Sequence, residues 1–426
     1  MISVGIDVSK EKSMVCMLKP YGEVVKLPYE VSHTKYDLEA LINEIKNLNS
    51  EVKVTLEATG AYHFPVVFSL IEANIFVSVI NPLMMKKYAN TTLRKGKTDK
   101  MDSVKIANYG IDNWFKLERF TAKEEIYGEL NLLGRQYAHY IKMRIESKLV
   151  LTDLLDRTMP KIKTLLAGKR SEEPTKDKLC DFVAEYIHYD NISKMSEEKF
   201  IKSYQKWAKK KGYHQSESKA KAIYALSHKG IQTLPSNSPS TKMLVLEAVR
   251  VLKEINKTLE LILTQMSELA KTLPEYNVVR NMNGVGEVLA VRLIAEIGDI
   301  RRFHNGSALV AFAGLDAPPY ESGKFVGTKR RISKRGSSIL RKTGYEVMKC
   351  LKTVKPTKDA AVYEFILKKE SEGKAKKVAK IAGLNKFLRI YYARVKEVYF
   401  ESEFLNFEPE ATVATVATVG LPFTTS

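Results

Sequence analysis

The chain has 426 residues, room for two or three domains at about 150 residues each. Lysine and arginine number 69 against 49 acidic residues, a net charge of +20 that favours a polyanionic partner, nucleic acid first and an anionic membrane surface second, over a small neutral substrate. No run of about 18 apolar residues occurs and the opening MISVGIDVSK is too polar for a signal peptide, so membrane insertion is set aside, no membrane partner is expected beside nucleic acid, and the protein is placed in the cytoplasm, associated with the nucleoid.

The first third alternates strand and helix signals. ISVGID, MVCMLK and EVVKLPYEV read as strands, with a hairpin at KPYG. KYDLEALINEIKNL has helical spacing, then VKVTLEAT reads as a strand, a helix runs from about Tyr62 to Ala73, and IFVSVINP reads as a strand. This order predicts a ribonuclease-H-like (RuvC-like) α/β domain over 1–118. From 119 to 272 the pattern predicts a long helical, coiled-coil-like region. Its apolar stripes, Leu130 to Leu155 and Leu244 to Leu273, look like a coiled-coil arm or an oligomerisation stalk, and they are the ground for expecting a dimer. Between the stripes, about 160–240 is a basic, weakly patterned helical segment, either an insertion or accessory nucleic-acid surface or a solvated lysine face.

A mainly α-helical C-terminal domain is expected over 273–395. In MNGVGEVLAVRLIAEIGDIRRF, Gly284 and Gly286 precede an apolar helix in a turn that resembles a helix-hairpin-helix element, able to offer backbone N–H groups to phosphate. The remainder, 396–426, ends in the low-complexity ATVATVATVGLPFTTS, expected to be disordered. Cys16, Cys180 and Cys350 are far apart and read as reduced packing residues.

Four carboxylates stand at instructive places. Asp7 and Glu57 end apolar strands, where acids are disfavoured, and Asp99 and Asp102 share one helical face where a loop enters a helix. Singly they could be a turn cap, a surface acid and an N-cap with its N3 partner. Together and in this order they form a set suited to two Mg²⁺ (or Mn²⁺) ions about 3.5–4 Å apart over a scissile phosphate.

The C-terminal loop FAGLDAPPYESGKFVGTKRRISKRGSSILRK carries the eight cations Lys324, Lys329, Arg330, Arg331, Lys334, Arg335, Arg341 and Lys342. They are expected to neutralise phosphates, with Gly323, Gly327 and Gly336 keeping the backbone close to whatever the cations bind. Ser322, Ser333, Ser337 and Ser338 are the hydroxyls within it. Ser337 and Ser338 precede a helix they could cap, which leaves Ser322 the best-placed nucleophile; no histidine lies closer than His304.

The segments GIDVSK, TLEATG, KTDKMDS, MNGVGEVLAVRLIAEIGDIRRF, FAGLDAPPYESGKF and ISKRGSSILRK, in this order, resemble the DEDD transposases of bacterial insertion sequences, relatives of the Piv DNA invertase that include the bridge-RNA-guided recombinases. The resemblance implies a RuvC-like domain with metal-binding acids at Asp7, Glu57, Asp99 and Asp102, and a transposase domain with its nucleophile at Ser322. It further implies a composite active site across subunits of a homodimer or homotetramer, donor and target DNA as substrates, and a guide (bridge) RNA. The 160–240 stretch is longer and richer in lysine than the family pattern. Two rival readings remain: a RuvC-like junction nuclease in which water attacks, and a nucleic-acid-binding scaffold without activity. A covalent protein–DNA adduct would separate the first reading from both.

Overall fold

The computed structural model describes residues 1–59, 62–89, 98–120, 125–166, 176–317, 321–322, 325–326 and 331–405. The chain divides into two compact units, Met1–Ala122 and Lys123–Ser426.

The first unit is built on a mixed sheet. Strand β1 (Ile2–Val8) pairs antiparallel with β2 (Lys12–Leu18), and β2 antiparallel with β3 (Val24–Ser32); after helix α1 (Lys35–Lys46), β4 (Val52–Glu57) joins the other side of β1 in parallel. Helix α2 (Phe64–Glu72) leads to β5 (Val77–Ile80), parallel to β4, so the order is β3-β2-β1-β4-β5. Helices α3 (Pro82–Ala89) and α4 (Asp99–Asp112) complete the unit. The KPYG hairpin forms as expected, with Tyr21 and Gly22 both at positive φ. Pro28 lies on the edge strand β3, where a missing N–H is tolerated.

Alternation along β1 separates two faces. Val4, Ile6 and Val8, with Val54 and Leu56 of β4, join α1 and α2 in one apolar core. The other face carries Ser3, Gly5 and Asp7, and α4 lies directly on it. A Cβ at Gly5 would stand 2.3 Å from the Ser103 carbonyl oxygen and the Ala107 nitrogen, and one at Gly110 would stand 2.2 Å from the Ser3 hydroxyl and 2.7 Å from that of Thr55. Residue 110 over Ser3 and residues 103–107 over Gly5 mean that α4 runs opposite to β1, its first turn toward Asp7.

The second unit begins with α5 (Glu125–Thr158), followed by α6 (Ile162–Leu166), α7 (Lys178–Tyr186), α8 (Asp190–Ser193), α9 (Glu197–Lys210), α10 (Glu217–Lys229) and the long α11 (Pro239–Lys271). Then come α12 (Tyr276–Arg280), α13 (Glu287–Ile297), α14 (Gly306–Phe312), the two-stranded β6 (Glu321–Ser322) and β7 (Phe325–Val326), α15 (Ser338–Val354), α16 (Ala361–Ser371) and α17 (Lys376–Leu405). Tyr127, Leu130 and Tyr137 near the start of α5 share a core with Leu259, Met266 and Ala270 of α11, while Leu151 and Leu155 near its end share another with Val245, Val249 and Leu252. The two helices therefore run antiparallel and cover each other's apolar stripes within one chain.

This corrects the stalk expectation: the stripes no longer argue for a second subunit, although Ile145, Leu149 and Leu244 within them are exposed. The described part of the 160–240 stretch is helical, as expected, and its helices share a core with the ends of α5 and α11 that the weak pattern did not show. Phe182, Tyr186, Phe200, Tyr204 and Trp207 form an aromatic cluster, with the Phe182 and Trp207 rings edge to face at 5.5 Å, and they knit α7, α9 and α10 to the α5–α11 ends. Cys16 and Cys180 are buried as expected, whereas Cys350 is exposed on α15 and is not a packing residue. The ATVATVATV tail lies outside the described residues.

Replacing Gly5 with alanine tests the seat of α4. The new methyl meets helix backbone rather than a movable side chain, so Gly5→Ala is expected to destabilise the first unit by about 3 kcal/mol, read from urea denaturation. An unchanged midpoint would show that α4 can lift without cost.

Candidate active site and cationic loop

The sheet register sets the first half of the site. Gly5 pairs with Thr55 and Ile6 with Leu56, which places Asp7 level with Glu57 at the ends of adjacent parallel strands. Because Asp7 lies two residues beyond Gly5, and Glu57 two beyond Thr55, both belong to the face that α4 covers. Both are partly buried. Helix α4 starts at Asp99, capped by the Thr98 hydroxyl, which accepts from the Met101 N–H; Asp102 follows in the same first turn. The expected capping role of Asp99 thus falls to its neighbour.

Asp102 accepts a hydrogen bond from the Lys105 ammonium at 2.8 Å in a partly buried ion pair. Asp99 is exposed, and its charge adds to the effect of Glu30, whose hydrogen bond is the main cause holding Lys12 above the usual lysine value. His63, just before α2, was not singled out from sequence; burial pushes its imidazole below the usual histidine range, partly opposed by a hydrogen bond with the Thr59 backbone.

The fold thus brings the ends of β1, β4 and the start of α4 to one edge of the sheet. Among the described residues, however, no three His, Cys, Asp or Glu side chains stand close enough together to form a ready-made metal cluster. The donor chemistry fits: four carboxylates and no thiolate suit a hard divalent ion that prefers oxygen.

The C-terminal loop belongs to the second unit. The Ser322 backbone lies in β6, opposite Phe325 of β7, while positions 323–324 lie outside the described residues. Lys324, Lys329 and Arg330 also fall outside them. From Arg331 the chain is laid along the end of α14: the Ser333 N–H donates to the Asp316 carbonyl at 2.8 Å, that of Lys334 to Gly314 at 3.0 Å, and that of Ser337 to Phe312 at 2.7 Å.

Gly336 makes this possible, since a Cβ there would stand 2.0 Å from the Phe312 carbonyl oxygen. Its role is to let two protein backbones meet, not to bring the backbone to a ligand. Gly323 and Gly327 lie outside the described residues.

Two candidate serines are tied into this framework. The Ser333 hydroxyl donates to the Asp316 carboxylate at 2.5 Å, and the Ser337 hydroxyl donates to Glu296 at 2.6 Å while accepting from the Leu340 N–H as the cap of α15. Ser338 is the first residue of that helix. Arg341 also turns inward: its Nη1 lies 2.9 Å from the carbonyl oxygens of Ala313 and Gly336 and 3.2 Å from that of Ser337. Arg302, stacked on the Phe303 and Phe312 rings, backs the loop, and burial lowers its pKa. Arg331, Lys334, Arg335 and Lys342 are the exposed cations.

Nearby in sequence, Gly284 has φ +79° and packs against Leu351 of α15, and Gly286 starts α13 with open space around it. Lys271, Tyr276, Asn277, Arg280 and Glu287 line a cleft of about 440 Å³ at the same helix start.

An acid-edged mixed sheet followed by a mostly helical unit with a cationic loop is the arrangement over which two transposase family models match, and these matches give the class of the protein, a DEDD-type transposase. The DEDD transposase model of the IS110 type matches residues 4–160, and the model described as the transposase IS116/IS110/IS902 family matches residues 276–364. The chain belongs to this family of insertion-sequence transposases, which cut and rejoin DNA.

It is 24% identical over 348 residues to the pilin gene-inverting proteins of Moraxella lacunata and Moraxella bovis, covering 82% of this chain and 81% of each relative. Among solved structures it resembles T. thermophilus RuvC in complex with a Holliday junction substrate, with TM-score 0.23 and 11% identity over 28% of this chain and 99% of that one. It likewise resembles a second Thermus thermophilus RuvC structure, with TM-score 0.23 and 12% identity over 28% of this chain and 100% of that one. No helix among the described residues is long and apolar enough to cross a membrane.

The inward Arg341 carries a prediction of its own. Arg341→Ala leaves the carbonyls of Ala313 and Gly336 without that donor, while the Ser337 carbonyl keeps the backbone N–H of residue 341. The Ser333, Lys334 and Ser337 amides are expected to exchange with deuterium roughly thirtyfold faster, equivalent to about 2 kcal/mol of local stability. Unchanged exchange, with weakened DNA binding, would make Arg341 a phosphate contact instead.

Proposed function

We propose that the protein is a DNA recombinase that transfers strands through a covalent serine–phosphate linkage, with Ser322 as nucleophile and Asp7, Glu57, Asp99 and Asp102 as ligands for Mg²⁺ or Mn²⁺. The observation that carries this reading is the shared face on which Asp7, Glu57 and the first turn of α4 meet, in a chain of the DEDD transposase family. A divalent ion held there would polarise the scissile phosphate and stabilise the leaving oxygen. For Asp102 to take part, Lys105 must share or release it.

In the first step the Ser322 hydroxyl oxygen forms a bond to phosphorus as one bridging P–O bond of the strand breaks. The serine proton passes by way of a carboxylate to the departing sugar oxygen. A sugar hydroxyl of a new partner strand then attacks the phosphoserine, the P–O bond to Ser322 breaks, and the serine regains its proton. Bond energy is conserved, so rejoining needs no nucleotide triphosphate. Arg331, Lys334, Arg335 and Lys342 are suited to neutralise the backbone and the charge of the transition state, with Lys324, Lys329 and Arg330 expected to add to them. The open turn before α13 supports a helix-hairpin-helix-like role in holding phosphate through backbone N–H groups.

Donor and target DNA are the substrates, and DNA inversion is a neighbouring possibility suggested by the names of the Moraxella relatives. The family resemblance extends the reading to guidance by a bridge RNA and to a site shared between subunits of a homodimer or homotetramer. A second reading follows from the Ser333–Asp316 and Ser337–Glu296 pairs, because a serine hydrogen-bonded to a carboxylate is also how a nucleophile is activated.

Trapping the reaction on a suicide DNA substrate and mapping the phosphorylated peptide decides among these. Phosphate is expected on Ser322, with the adduct and strand exchange both lost in Ser322→Ala. Asp102→Asn is expected to abolish the reaction while changing unfolding free energy by about 1 kcal/mol or less, since its ion pair is only partly buried. Phosphate on Ser333 or Ser337 would relocate the nucleophile. Cleavage by Ser322→Ala with no adduct would establish attack by water.

A further inference from the structure

Helix α9 lies between the two segments that the family models match. Its sequence, EEKFIKSYQKWAKK, separates two faces with unusual clarity. Phe200, Tyr204, Trp207 and Ala208 are buried in the core shared with α5, α7, α10 and α11, which fixes the rotation of the helix. Lys199, Lys202, Lys206, Lys209 and Lys210 are all exposed. At 100° per residue they fall within an arc of roughly 100° on the opposite side, strung along about 16 Å of helix.

What sets these lysines apart is that five of them gather on one face of one helix, and among the described residues none of the five stands in an ion pair. Elsewhere among the described residues Lys12, Lys19, Lys26, Lys105, Lys221, Lys253, Lys352 and Lys369 each stand within 3 Å of a carboxylate. Lys221 of α10 also feels Glu197 at the start of α9. Glu198, four residues before Lys202, is the one acid of α9 at such a three- or four-residue spacing, against the four like-charge pairs Lys199/Lys202, Lys202/Lys206, Lys206/Lys209 and Lys206/Lys210, so repulsion among the lysines prevails. A ligand with regularly spaced negative charge would relieve that repulsion. About 16 Å matches some five phosphates of one strand at ~3.4 Å of axis each.

We infer that the lysine face of α9 is a second DNA-binding surface, which grips the phosphate backbone of duplex DNA without reading sequence. Lysines present point charges and no aromatic side chain is exposed among them, as expected for backbone contacts rather than base stacking. The choice of DNA rests on membership of the transposase family. The contact itself does not depend on which group is the nucleophile.

The test uses the full chain in EDTA, so that no cleavage occurs, and a labelled duplex of about 30 base pairs titrated at several salt concentrations. A variant carrying Lys199→Gln, Lys202→Gln, Lys206→Gln and Lys209→Gln is expected to bind at least tenfold more weakly at moderate salt. Its log K against log salt slope should be shallower by about three to four. The corresponding arginine variant should retain both.

A readout on the unaltered protein guards against misfolding of the variants: acetylation of Lys199–Lys210 should be suppressed by duplex more than that of the exposed Lys35 and Lys46 on α1. Equal acetylation with and without duplex, or an unchanged slope in the glutamine variant, would overturn the inference. So would loss of binding in the arginine variant, or selective loss of binding to a structured RNA of the same length with duplex binding intact. Failure of the serine chemistry leaves all of these measurements unaffected.

Discussion

The close contact of α4 with β1 and β4 is the constraint on which the candidate active site depends. Glycine at position 5 of the strand and at position 110 of the helix removes the side chains that normally hold a helix about 10 Å from a sheet. In their place come helix backbone against strand and the small hydroxyls of Ser3 and Thr55. The same alternation that leaves Gly5 on this face puts Asp7 there too, and register carries Glu57 with it. An acid at a strand end has meaning only because the helix running back over the strand brings its own acids to the same edge.

The second unit solves a related problem with the same residue. Gly314 and Gly336 let two segments of backbone cross at contact distance, and Arg341 and the Ser333–Asp316 and Ser337–Glu296 bonds lock the crossing. The cations that remain exposed are therefore presented from a braced support. A flexible loop with the same charge would lose more conformational entropy on meeting a strand.

Much of this was legible in the sequence. Strand alternation gave the sheet of the first unit, and the i,i+3 acids marked the start of α4 to within a residue, the cap moving only from Asp99 to Thr98. The roles of Gly5, Gly110 and Gly336 were not legible, because a glycine's reason is the partner it approaches, and that partner is distant in sequence. Arg341 read as a phosphate contact for the same reason: composition shows a charge, not the direction in which it turns. The aromatic module over 178–229 was missed because Phe182, Tyr186, Phe200 and Trp207 are spread over short helices, none long enough for its periodicity to stand out. The long stripes were legible as helices, but whether they formed an arm or a stalk was not, since periodicity is the same whether a stripe faces its own chain or another.

The antiparallel pairing of α5 and α11 bears on how the second unit folds. Thr158 and Pro239 are the facing ends of one hairpin, and everything between them is, topologically, its connection. If that connection were a random coil, closing it would cost entropy before any contact between the long helices could repay it. In the folded chain the aromatic module holds those two ends together, because its core is shared with Leu151 and Leu155 of α5 and with Val245, Val249 and Leu252 of α11.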